Sequence, residues 1–439
     1  MVNIKISQIQ SLKGEIEVPP DKSISHRALI ISSYAEGKTI VKNLLRAEDT
    51  LSTKKCLEEL GVVIIDNGPE LTIDGSGGLH RTDKILDVGN SGTSIRLLLG
   101  MLASHNYKTV ISGDSSIQKR PMGRVIIPLT MMGAQFKVNN KNLRLEDLLK
   151  SKDVFFPQIE IIGGDLNGIN YEMPVASAQV KSAILIAGLK AKGETKIIEP
   201  GYSRDHTERM LEYFGAKINI DGNKISISSE SKLFARELYV PGDISSAAFF
   251  MAAALLIKNS EILIKNVGLN PKRTGIIDVM RKMGAKIEIK NKTIIGSEEV
   301  GDIFIVQSKL NGIKIEGEII PKLIDEIPVI SLLAALSEGK TEISDAKELR
   351  FKESDRLKVI TQELSKFGVH IKEKEDGLII FGNDKLNSAK VNSYKDHRIA
   401  MTFIIAGLLA KGETEVEDID CINTSFPNFI NLLNAIKNK

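Results

Sequence analysis

The 439-residue chain has no tryptophan, and aromatic residues make up only 5% of it. Proteins that grip single-stranded nucleic acid need aromatic platforms for the bases, so this composition argues against such a role. Only two cysteines occur, Cys56 and Cys421. They form no disulfide framework and lack metal-ligand spacing. No window approaches the 18 or so uninterrupted apolar residues of a membrane span, so no membrane partner is expected. The start, Met1-Val-Asn-Ile-Lys-Ile-Ser-Gln8, lacks the basic region and apolar core of a secretory signal. A cytoplasmic location is the resulting expectation. An excess of one charge sign is missing too: 59 Lys and Arg face 56 Asp and Glu, a net charge of +3. A dedicated nucleic-acid binder would show a marked basic excess. A local basic cluster around an acidic substrate remains compatible with this balance.

The length favours two domains over one core. The chain also contains a repeat, and the repeat carries most of the information. A short strand leads into a helix rich in Ala, Leu and Ile. A Gly-Lys-Thr-like turn, a second strand, a polar loop, a second helix and a strand pair follow. The turns begin at Glu36, Lys192, Glu338 and Lys411, with weaker copies at Tyr107 and Asn259. The second helices end at Gly61, Gly133, Gly215, Gly284 and Gly368, each preceded by an apolar residue. Glycine just past an apolar helix predicts a left-handed cap. The glycines lie 69 to 84 residues apart, longer than solenoid repeats, so each unit is a small α/β module. The sixth unit begins near Val391 and the chain stops before its strand pair. Strands over residues 4–9 and 14–18 are expected to supply the missing pair. The prediction is an α/β protein of two domains with three units each: residues 1–20 with 230–439, and residues 21–229. The crossings fall near Pro19-Pro20 and the polar stretch from Ser228 to Lys232.

Unusual polar residues gather where helices begin. First helices follow Asp21-Lys-Ser-Ile-Ser-His-Arg27, Gly89-Asn-Ser-Gly-Thr93, Ser177-Ala-Gln-Val-Lys181, Asp325-Glu-Ile-Pro328 and Asp396-His-Arg398. Second helices follow Lys119-Arg-Pro-Met-Gly-Arg124, Arg204-Asp-His-Thr-Glu208, Asn270-Pro-Lys-Arg-Thr274 and Lys352-Glu-Ser-Asp-Arg356. Helix N-termini offer unpaired N–H groups and a positive dipole end, which suit anions. Lys and Arg beside them suit phosphates and carboxylates. Each motif also has a plain structural reading. Ser, Asp and Asn at helix starts serve as N-caps. His26, His206 and His397 read as structural histidines, and the two cysteines as core residues. The joint placement of the motifs at equivalent ends of repeated units favours the anion site. Asp325 and Glu353 stand out as acids within this cationic set. They are either salt-bridge partners or proton-transfer groups.

These motifs, taken together with Arg120-Pro-Met-Gly-Arg124, closely resemble those of the enolpyruvylshikimate-phosphate synthase family over essentially the whole chain. The Ser-Ala-Gln-Val-Lys181 and Arg204-Asp-His-Thr-Glu208 runs resemble its second bacterial class. That class tends to show Asn-x-Thr-Arg, from which Asn270-Pro-Lys-Arg273 departs, so Lys272 receives no role. Nor is a ligand assigned at Asn423-Thr-Ser-Phe-Pro427, where some relatives carry a substrate-contacting Lys. The resemblance implies two inverse α/β domains, each of three βαβαββ units, with the substrate site in the interdomain cleft. It implies transfer of the enolpyruvyl group of phosphoenolpyruvate to shikimate 3-phosphate, with no metal or organic cofactor and a monomeric enzyme. By position, Lys22, Ser23, Arg27, Ser177, Ala178, Gln179, Arg204, Asp325 and Lys352 resemble shikimate-phosphate contacts. Lys22, Gly92, Arg120, Gln179, Arg356 and Arg398 resemble phosphoenolpyruvate contacts. Asp325 resembles the base on the attacking hydroxyl, Glu353 the proton donor to the methylene carbon, and Lys22 a further catalytic group. Gly92 occupies the place where relatives with Ala resist glyphosate, the family's competitor of phosphoenolpyruvate, so a glyphosate-sensitive enzyme is expected.

Three other readings compete. An enolpyruvyl transferase acting on a UDP-amino sugar carries a reactive Cys in its second unit, where Ser115-Ser-Ile-Gln-Lys-Arg120 has none. A 3′-phosphate cyclase acting on RNA needs a late nucleophilic His, whereas His397 sits in Asp-His-Arg. A non-catalytic anion binder explains the cations but leaves Asp325 and Glu353 unexplained.

Overall fold

The computed structural model describes residues 2–138, 141–150 and 158–438. It divides into two compact units. The internal unit comprises Pro20–Val240 and Ile295–Glu298; the terminal unit holds the chain up to Pro19, Pro241–Ile294 and everything from Glu299 onward. Each has its own apolar core. Among the described residues no helix is long and apolar enough to cross a membrane.

One module displays the repeat completely. Strand Asn170–Glu172 is followed by helix Ala178–Gly188, strand Glu194–Ile198, helix His206–Tyr213, and strands Ile218–Asp221 and Lys224–Ser228. The first two strands pair in parallel, with Asn170 opposite Lys196. The remaining pairs are antiparallel, with Thr195 opposite Ile227 and Ile220 opposite Ile225. Alternation sets the buried face: Thr195 and Ile197 point inward while Glu194 and Lys196 are exposed. Among the described residues the same strand order recurs in five of six sheets, and the sixth has three strands.

The first helix of a module is apolar on nearly every side because it is buried on nearly every side. Val180–Gly188 and Ile244–Leu255 are buried without a break. The second helices are amphipathic and lie over the sheets, as in His206–Tyr213. Helix Gly92–Leu102 meets helix Ala178–Gly188 so closely that a Cβ on Gly100 would lie 2.3 Å from the Ala183 carbonyl oxygen. All five exit glycines have positive φ, from 85° at Gly368 to 118° at Gly133, as expected of left-handed caps.

Two expectations about connectivity need correction. The N-terminal strands do not both complete the sixth unit. Strand Ile4–Ser7 does, antiparallel to Glu413–Glu417. Strand Ser11–Glu17 instead opens the fourth module, parallel to Glu261–Gly268. The second crossing also lies later than Ser228-to-Lys232. The chain stays in the internal unit through Val240, because Glu237–Tyr239 is the parallel opening strand for Lys38–Lys42. Each unit thus closes its set of three modules with a strand from a sequence-distant segment.

Candidate active site

In the internal unit, three buried helices begin with Asp21, Ser91 and Ser177 as N-caps. Their side chains accept from Ile24 N at 2.9 Å, Ser94 N at 3.1 Å and Val180 N at 3.5 Å. The plain capping role therefore holds for all three, most weakly for Ser177. The cationic side chains stand beside them. Lys22 Nζ lies 3.0 Å from Asp49. Arg27 is buried: Nη1 donates to the Ser23 carbonyl at 2.9 Å, Nε to Thr207 Oγ1 at 2.6 Å and Nη2 to Ser182 Oγ at 2.8 Å. Burial lowers its pKa to about 10, against the pull of Glu208 and Asp21. A guanidinium stripped of water in this way gains from an incoming anion.

A second group forms around Gly92. Arg96 Nη1 donates to Gln179 Oε1 at 2.6 Å and to the Gly92 carbonyl at 3.2 Å, while Gln179 Nε2 donates to Thr93 Oγ1 at 2.9 Å. Both ends of the Gln179 amide are held. Arg120 is buried, and its Nη2 donates to Asn90 Oδ1 at 2.9 Å. A Cβ on Gly92 would lie 2.8 Å from Arg120 Nη1 and 2.9 Å from Arg96 Nη1. Gly92, Arg120 and Gln179 are therefore neighbours, with Arg96 among them. Arg204 is half-buried between Ser203, which donates to Glu199, and Asp205, which pairs with Arg209 at 3.1 Å.

In the terminal unit, the candidates converge on one guanidinium. Arg356 is 1% exposed. Its Nε donates to Asp396 at 2.8 Å, Nη2 to Glu353 at 2.7 Å and Nη1 to Asp325 at 3.3 Å. Burial alone would lower the Arg356 pKa, but Asp396, Glu353 and Asp325 outweigh it and raise it. Lys352 Nζ is 3.2 Å from Asp325. Arg398 Nη1 donates to the Asp325 backbone carbonyl at 3.2 Å and lies 3.6 Å from Glu326. Asp396 caps helix His397–Gly407 and binds Arg356, so the cap orients the guanidinium. Tyr394 and Lys395, just before it, both have positive φ, a conformation that costs energy in non-glycine residues and clusters at functional sites.

A profile of the EPSP synthase (3-phosphoshikimate 1-carboxyvinyltransferase) family matches residues 6–433. The chain belongs to that family. It is 50% identical over 429 residues to the 3-phosphoshikimate 1-carboxyvinyltransferase of Thermoanaerobacter sp. strain X514, covering 98% of both chains. It is 51% identical over 441 residues to that of Thermodesulfovibrio yellowstonii, covering 99% of this chain and all of the relative. The solved EPSP synthase of Acinetobacter baumannii superposes with a TM-score of 0.86 at 41% identity, over 99% of this chain and 98% of that one. The fold is the two-domain inverted α/β fold of the EPSP synthases.

For this family member, several site neighbours escaped the sequence reading. Asp49 lies in the first turn of helix Glu48–Glu59 and reads as an ordinary first-turn acid, yet it partners Lys22. Arg96 follows Gly92 by one helical turn, a spacing that hints at a shared face. Arg273, rather than Lys272, is the buried cation of its motif; it donates to Asp243 at 3.2 Å and to Ser245 at 2.8 Å. Cys56 is a core residue and Cys421 is half-buried against the core of the terminal unit; burial pushes both thiols up to about 12. His26 is fully buried, with Nδ1 at 2.8 Å from Thr53 Oγ1, and His206 Nδ1 donates to Glu298 at 2.7 Å.

Proposed function

We infer that the chain transfers the enolpyruvyl group of phosphoenolpyruvate to the 5-hydroxyl of shikimate 3-phosphate, giving 5-enolpyruvylshikimate 3-phosphate and phosphate. The observation that carries the reading is the Arg356 cluster. Two carboxylates, Asp325 and Glu353, share one buried guanidinium. Addition of a hydroxyl across an enol double bond needs a base at the hydroxyl and an acid at the methylene carbon. Asp325 takes the proton from the 5-hydroxyl as its oxygen bonds to the central carbon of phosphoenolpyruvate. Glu353 gives a proton to the methylene carbon, which becomes a methyl group. The tetrahedral intermediate then loses one methyl proton as the carbon–oxygen bond to phosphate breaks.

Shikimate 3-phosphate is bound by Lys22, Ser23, Arg27, Ser177, Ala178, Gln179, Arg204, Asp325 and Lys352. Phosphoenolpyruvate is bound by Lys22, Gly92, Arg120, Gln179, Arg356 and Arg398. Lys22 serves both substrates and stabilises the charge that moves onto the leaving phosphate. Held cations such as Arg356, already fixed by three carboxylates, need little reorganisation as that charge develops. The enzyme works as a cytoplasmic monomer; two free cysteines suit a reducing compartment.

The test is phosphate release from phosphoenolpyruvate by the purified protein. Release that requires shikimate 3-phosphate, and that a UDP-amino sugar does not support, is the expected result. Release with the UDP-amino sugar alone, or none with either, overturns the reading.

A further inference from the structure

Lys181 lies outside every substrate role assigned above, yet it is completely buried. It stands one helical turn beyond Ser177 and close to Gln179, on helix Ala178–Gly188. Its Nζ lies 2.8 Å from Glu199 Oε2 and 2.6 Å from Glu208 Oε1, and those side chains are 2% and 1% exposed. The two acids bracket Arg204 in sequence. Glu199 accepts from Ser203 Oγ, directly before Arg204. Glu208 lies in the first turn of helix His206–Tyr213, which begins two residues after Arg204. A sequence neighbour of each repeats the link: the hydroxyls of Ser182, after Lys181, and Thr207, before Glu208, lie 2.6 Å apart, and Arg27 donates to both.

A lysine taken out of water is costly unless paired. Here the two carboxylates overcome burial and raise the Lys181 pKa, while burial raises that of Glu208. A buried aliphatic residue would stabilise the fold as well or better. What the ions add is a fixed distance between two elements, because charge-assisted bonds are short and directional.

We propose that Lys181, with Glu199 and Glu208, is a positioning device that holds the Arg204 loop against the helix start bearing Ser177, Ala178 and Gln179, so that the shikimate 3-phosphate half of the site is preformed. The proposal rests on the substrate reading given above. It makes the triad selective: of the groups it ties together only Gln179 is also assigned to phosphoenolpyruvate, and the Gln179 amide is separately held by Arg96 and Thr93, while Arg120 and Arg356 keep their own partners.

The test uses Glu208→Met, which leaves a balanced Lys181–Glu199 pair, and Ser203→Ala, which frees the loop from Glu199 with little threat to folding. Lys181→Arg is the conservative rescue. Steady-state kinetics on the full chain should show KM for shikimate 3-phosphate rising roughly tenfold in Glu208→Met, with kcat and KM for phosphoenolpyruvate within about twofold. Ser203→Ala should move the same constant in the same direction by less, and Lys181→Arg should stay near wild type. Amide hydrogen exchange of residues 202–206, read without any substrate, should quicken in the first two variants. Folded variants with unchanged KM for shikimate 3-phosphate, or equal rises for both substrates, overturn the proposal. An inactive wild type would refute the substrate reading instead, and the exchange measurement would still decide whether the triad holds the loop.

Discussion

Gly92→Ala isolates one contact in the half of the site proposed for phosphoenolpyruvate. The added methyl carbon would lie 2.8 Å from Arg120 Nη1 and 2.9 Å from Arg96 Nη1. Both distances are too short, so one guanidinium must move. Arg96 is held by the Gly92 carbonyl, Gln179 and the Pro121 carbonyl at 3.2, 2.6 and 3.4 Å. Arg120 donates to Asn90 at 2.9 Å and to Ser116 at a long 3.4 Å. Arg120 Nη1 lies nearer the added carbon, so its guanidinium is the one pushed first. Overpacking by a methyl costs about 1–3 kcal/mol. The obstacle here is the tip of a side chain, so the lower half of that range applies. A cost of about 1.4 kcal/mol is tenfold in an equilibrium or rate, so the melting temperature should fall by a matching amount, and the displaced guanidinium should lower kcat/KM for phosphoenolpyruvate by roughly tenfold. Glyphosate is longer than phosphoenolpyruvate and has less room to retreat, so its inhibition constant should rise by more than KM does. Steady-state kinetics with glyphosate as competitor measures both. Equal rises in the two constants, or a wild-type enzyme indifferent to millimolar glyphosate, would refute the reasoning.

Glu353→Gln and Asp325→Asn should each lose roughly 10²-fold or more in turnover with modest changes in substrate binding; a fall in stability with turnover per folded molecule intact would reduce them to salt-bridge partners. Gly100→Ala would drive a Cβ to 2.3 Å from the Ala183 carbonyl oxygen, so the melting temperature should fall by an amount corresponding to about 1–3 kcal/mol while KM values hold; an unchanged melting temperature would show that the helices separate freely. Burial, with Lys22 and Arg27 nearby, holds the His26 pKa well below its usual value. The unfolded chain binds this proton below about pH 6.5 and the folded chain does not, so stability should fall as pH drops below that point. His26→Gln should flatten this part of a denaturation-against-pH curve, and an unaltered slope would contradict the assignment.

What the sequence disclosed was local. The exit glycines are legible because a left-handed cap is a property of one residue and its helix. The motifs at helix starts are legible because capping and charge placement follow chain order. The partners of those motifs are a matter of tertiary contact. Asp49 is 27 residues from Lys22, and Thr207 is 180 residues from Arg27; no periodicity links such pairs. Which module each exchanged strand completes was hidden for a related reason. Ser11–Glu17 and Glu237–Tyr239 look like any other short strand, and only their pairing with Glu261–Gly268 and Lys38–Lys42 tells which module they complete. Lys181 and Glu208 end two motifs that read as separate runs, and their 2.6 Å contact joins them.

The measurement that bears most directly on the central claim is product analysis after turnover in deuterium oxide. Addition–elimination makes the methylene carbon of phosphoenolpyruvate a methyl group before one hydrogen is lost. The account predicts that shikimate 3-phosphate becomes its 5-enolpyruvyl ether with release of one phosphate, and that mass spectrometry finds deuterium in the vinyl group. A phosphorylated product without the enolpyruvyl group, or an ether whose vinyl hydrogens carry no deuterium, would contradict it.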